Sequence, residues 1–77
     1  MKQGNWVVTD NGLGTPTIVY LKKDEGRGLF SAWFYNPNFG LDCADWALFS
    51  KEDYPNSRLL SELEILSLGK EVLEAAE

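Results

Sequence analysis

Residues 29–35, Leu-Phe-Ser-Ala-Trp-Phe-Tyr, constrain this chain more than any other segment. Side chains alternate across a strand, so Phe30, Ala32 and Phe34 share one face and Ser31, Trp33 and Tyr35 share the other. Burying the first set turns Trp33 and Tyr35 outward. A strand that is apolar on both faces needs a second covering layer or a partner. Only 77 residues are present to provide it. A 60-residue domain buries about 60% of the surface that its unfolded chain exposes, so a single domain, residues 1–77, with a thin core is expected.

Similar runs flank this segment. Residues 5–10 and 16–21 are rich in β-branched and aromatic side chains, and Asn11-Gly12 between them is a strong turn dipeptide. Lys22 to Gly28 is polar and punctuated by glycine, which predicts an exposed hairpin loop. Turn residues dominate Asn36-Pro37-Asn38-Phe39-Gly40. A fourth strand is expected at residues 45–49, followed by a polar loop from Ser50 to Arg58. Four short strands before any helix predict a mainly β fold with a C-terminal helix, built on a small antiparallel sheet or barrel of four to five strands.

The C-terminal third supports two readings. Ser61-Glu62-Leu63-Glu64 fits a capping box with Leu60 and Ile65 as a hydrophobic staple, and Ile65, Leu68, Val72 and Ala76 recur at helical spacing. Gly69 opposes a continuous helix at a cost of about 1 kcal/mol relative to alanine. Residues 62–66 also alternate as a half-buried strand does. The expectation is a closing strand at 62–66 and a helix at 70–76, with one helix over 62–76 as the alternative. Either way Leu66, Val72 and Leu73 are available to cover the Trp33 face.

Composition removes several chemistries. With no histidine there is no Ser–His or Cys–His dyad and no imidazole metal ligand. The one cysteine, Cys43, can form neither an intrachain disulfide nor a thiolate-rich zinc site. Neighbouring Asp42 and Asp45 disfavour its thiolate. Asp42, Asp45 and Asp53 lack the glycine-hinged loop of a calcium hand, and Gly12-Leu13-Gly14-Thr15 lacks the downstream glycine or lysine of a phosphate cradle. No enzyme activity, cofactor or metal is expected. The longest apolar runs are four residues, whereas a membrane span needs roughly 20. Residues 1–4 carry no apolar stretch of a signal peptide, so a cytoplasmic setting is expected, with no membrane contact.

Gly4-Asn5-Trp6-Val7-Val8, then Gly12-Leu13-Gly14, then a β-branched second strand resembles the first hairpin of small five-stranded barrels of the Src-homology, Tudor and KOW kind. Pro16 departs from that pattern, because it removes a ladder donor and belongs at an edge or bulge. The resemblance implies a binding module for peptides, nucleic acid or a partner subunit. A compact acidic domain without catalytic groups also resembles the inhibitors that phages and mobile elements direct at host defence proteins.

Charge narrows the partner. Residues 1–40 carry four basic and three acidic side chains, while residues 41–77 carry three and nine, giving a net charge of −5 overall. Phosphate backbones seek a basic patch, so direct nucleic-acid binding is disfavoured. Trp and Tyr are enriched in interface hot spots, and the candidate contact patch is Trp33, Tyr35, Phe39 and Tyr54. Asp42, Asp45, Glu52 and Asp53, with Glu62 and Glu64, would steer it onto a basic protein surface. The expected function is non-enzymatic protein binding by stoichiometric contact, in the style of a phage or mobile-element inhibitor of a host defence or nucleic-acid-handling protein, acting in the host cytoplasm. The alternatives are an accessory subunit or peptide or nucleic-acid reader of a larger complex, and a structural homodimer.

Overall fold

The β-branched and aromatic runs become strands. The computed structural model describes residues 1–10 and 16–77. It contains β1 (Trp6–Asp10), β2 (Pro16–Gly26), β3 (Leu29–Tyr35), β4 (Asp45–Ser50), β5 (Arg58–Leu59), α1 (Glu62–Ser67) and α2 (Lys70–Ala75). The five strands form one antiparallel sheet in the order β4-β3-β2-β1-β5. The fold is mainly β with two short C-terminal helices. The Asn11-Gly12 turn and the Gly12-Leu13-Gly14-Thr15 corner expected from the sequence lie outside the described residues.

Pro16 opens β2 opposite Asp10. β3 pairs with β2 from Ile18 onward, so the missing proline amide falls beyond the end of β3 and costs no ladder bond. β2 runs further than the sequence suggests. Most of the polar segment read as a loop is strand, carrying register shifts between Leu21 and Lys23 and between Asp24 and Gly26. Nearby side chains engage this irregular stretch: the Asp24 amide donates to Gln3 Oε1 (3.0 Å) and the Gly26 amide to Asp24 Oδ1 (2.8 Å). The connection itself is two residues, Arg27 and Gly28, with φ angles of 57° and 76°. Both are positive, as a two-residue hairpin loop of type I′ requires.

The sheet buries side chains on both faces. Val7, Val19, Leu21, Phe30, Ala32 and Phe49 form one cluster, joined by Phe34 and Tyr54. Trp6, Ile18, Trp33, Val72 and Ala76 form the other, with Tyr20, Tyr35, Leu60, Ile65, Leu68 and Leu73 around them. The helices therefore supply the second layer that residues 29–35 demand.

The closing segment differs from both readings of the sequence. Residues 62–66 are helical rather than a strand, and the closing strand is Arg58–Leu59, inside the stretch expected to be loop. Three contacts decide the helix. Ser61 Oγ accepts from the Glu64 amide (3.2 Å), Glu64 Oε1 accepts from the Ser61 amide (3.0 Å), and Arg58 grips both carboxylate oxygens at 2.9 Å. The single-helix alternative fails at Gly69, whose φ of 90° and ψ of 160° split α1 from α2. Leu66, expected over the Trp33 face, points away and is 71% exposed. Ile65 and Leu68 cover that face in its place, with Val72 and Leu73 as expected.

Candidate protein-binding surface

The four aromatic residues proposed as a patch are not brought together. Trp33 is 4% exposed, lying edge-on to Trp6 (centroids 6.4 Å apart) and stacked on half-buried Tyr35 (5.4 Å). Both belong to the core beneath the helices. Tyr54 belongs to the opposite cluster, stacked on Phe49 at 5.3 Å and tilted against Phe34. Phe39 stands alone among them in the turn after β3, 66% exposed. The physical reason is strand order: β3 is internal to the sheet, so the helices cross its outer face and leave no aromatic surface there.

A second exposed aromatic, Trp46, lies on β4. β4 is an edge strand, and its register sets Trp46 beside Trp33 and Leu48 beside Ser31. Trp46 and Leu48 thus share the face on which the helices lie, yet they are 51% and 59% exposed. Trp46 has the indole that interface hot spots favour. Its alternation with Leu48 is visible in the run Trp46-Ala47-Leu48-Phe49, which predicts a strand but does not mark a surface. The missing signal was that this strand has a neighbour on one side.

The predicted carboxylates fall around this strand. Asp42 lies in the 3₁₀ turn Leu41–Cys43 before β4, Asp45 begins β4, and Glu52 and Asp53 follow its end. All four are exposed, and none forms an ion pair among the described residues. Asp45 Oδ1 accepts the Trp46 amide at 2.8 Å. Lys51 is the basic residue in this stretch, and its Nζ is held by the carbonyls of Pro55 (3.2 Å) and Ser57. The local field is therefore acidic around an apolar centre. Glu64, by contrast, is spent internally on Arg58.

Other chemistry is sparse. Cys43 is exposed at the approach to β4. Among the described residues, no group of three or more carboxylate or thiol side chains is placed to hold a metal ion, and no helix is long and apolar enough to cross a membrane. The hollow at the hairpin end, about 400 Å³, has Phe30 and Phe49 among its lining with Arg27 and Lys51. Asp24 also lines it. Leu63 and Leu66 form a second exposed apolar pair on the outer side of α1. No family model, curated protein or solved structure matches the chain.

Proposed function

We propose that this protein is a non-enzymatic binding module acting by stoichiometric contact with a partner protein that presents a basic surface. The observation carrying this reading is an apolar edge strand, Trp46 and Leu48 on β4, flanked by Asp42, Asp45, Glu52 and Asp53. The indole and leucine would supply affinity by desolvation, and the carboxylates would supply orientation and association rate. In this role it acts as a phage or mobile-element inhibitor of a host defence or nucleic-acid-handling protein, in the cytoplasm of the host. Support for that setting comes from the acidic surface, which suits the basic groove of a nucleic-acid-handling protein and repels nucleic acid itself.

The test is capture of partner proteins from host lysate with wild type and with Trp46→Ser/Leu48→Ser, both checked for native circular dichroism. Wild type should retain a discrete partner at stoichiometric yield, and the variant should lose it. Equal recovery by both would remove the surface from β4.

A further inference from the structure

Beyond its side chains, β4 offers an open hydrogen-bonding edge. The Leu21 amide donates to the Asn5 carbonyl at 3.0 Å, which turns Tyr20 toward β3 and its register partner Trp33 toward β2. By alternation Ala32 and Phe34 face β4, where they meet Ala47 and Asp45. Trp46 and Leu48 must then direct their amides and carbonyls outward. Asp45 already occupies the Trp46 amide. The Trp46 carbonyl and both backbone groups of Leu48 find no partner among the described residues.

Edge strands are commonly guarded by lysine, proline, a bulge or shortness. β5, at the other edge, is two residues long. β4 has none of these guards. Residues 45–50 contain no lysine or proline, and pairing with β3 runs unbroken from Leu29–Ser50 to Phe34–Asp45. An exposed, regular, apolar edge of this kind is a template for an added strand.

We propose that an extended segment of the partner, rich in lysine or arginine, adds to β4 as a sixth strand; this rests on the reading of β4 as the binding surface. Main-chain bonds to Leu48 and Trp46 hold it, and its alternate side chains meet the Trp46–Leu48 face. The basic character follows from the unpaired carboxylates on either side of the strand. A second copy fits poorly. Antiparallel self-pairing would set Asp42 and Asp45 of one chain beside Glu52 and Asp53 of the other, with the Lys51 ammonium already held by carbonyls.

The probe is a capped peptide of alternating lysine and valine. Its comparison peptides are an alternating glutamate and valine peptide and a lysine–valine peptide methylated on every second backbone amide. The lysine peptide should bind the full chain and slow hydrogen exchange at the Leu48 amide. The acidic peptide should not bind, and backbone methylation should weaken binding more than tenfold. Leu48→Pro, which removes an outward amide and no ladder bond, should abolish binding while circular dichroism stays native. If that variant does not fold, the methylated peptide carries the same test. Equal binding by the methylated peptide overturns strand addition and leaves the side-chain surface standing. Failure of the lysine peptide, while partner capture still depends on Trp46, overturns it likewise. A dimer by sedimentation, with the Leu48 amide protected in the absence of peptide, assigns the edge to a second copy and also overturns it.

Discussion

Glu64 is the side chain on which the C-terminal segment turns. One carboxylate completes a capping box with Ser61 and accepts from both terminal Nη nitrogens of Arg58, so it ties the start of α1 to β5. The Arg58 side chain first, and then the Ser61 backbone, hold this carboxyl well below its ordinary 4.5, at about 2. A depressed folded-state value stabilises the fold above the unfolded value. That contribution is lost as pH falls from about 4.5 through about 2. Urea unfolding of wild type should therefore weaken across this window, and Glu64→Gln should show a shallower decline. Parallel curves would mean that the carboxylate contributes nothing to acid sensitivity. The group is exposed to solvent, so the effect is modest and is reduced further by salt.

At the scale of elements, the helical end is divided by a glycine conformation. Gly69 has φ 90° and ψ 160°, a region that residues with a side chain rarely adopt. Apart from its chain neighbours, no atom lies within 4 Å of where a Cβ would stand, so the cost of Gly69→Ala is backbone strain and not collision. That cost is expected at about 1–3 kcal/mol by chemical denaturation. A stabilised variant would show that α1 and α2 can merge. The local sequence made some elements plain and not others. β3 has the bounds expected from its sequence, because Gly28 and Asn36-Pro37 punctuate a dense apolar run. Residues 62–66 satisfy both the helix and the strand pattern; the spacing reveals the Ser61–Glu64 capping box but not the Arg58 contact that joins it. The polar half of β2 looked like loop because its side chains bury nothing, although its backbone still pairs with β3. The proposed binding surface is half legible in the sequence. The carboxylates around β4 stand out by charge alone, whereas the sequence points to Trp33 and Tyr35 on β3, which the structure covers with the helices. Alternation assigns side chains to faces within a strand and says nothing about which strand lies at the edge.

Across the whole molecule, one sheet separates two small cores, and the helices make one of them. Trp33 and Trp46 sit side by side in register yet differ in cover. Their replacement by alanine should separate structural from surface roles. Trp33→Ala should cost about 3–5 kcal/mol, a large share of the roughly 4–12 kcal/mol expected for a chain of this length. Trp46→Ala should change unfolding free energy by less than about 1 kcal/mol. Comparable losses in both would show that the edge is better covered than its exposure implies.

The two-sided sheet has one further consequence. A strand buried on one face defends its pairing, because a one-residue slip would turn its apolar side chains to water. In β3 a slip would exchange one apolar set for another, with little transfer energy to oppose it. Alignment must then be stored outside the hydrophobic pattern. It resides in the Arg27–Gly28 turn, which admits two residues at positive φ, and in the two register shifts that precede it. An exposed connection that buries nothing thus carries the addressing information for the β2–β3 pair, and an insertion there can misalign that pair with every core residue intact.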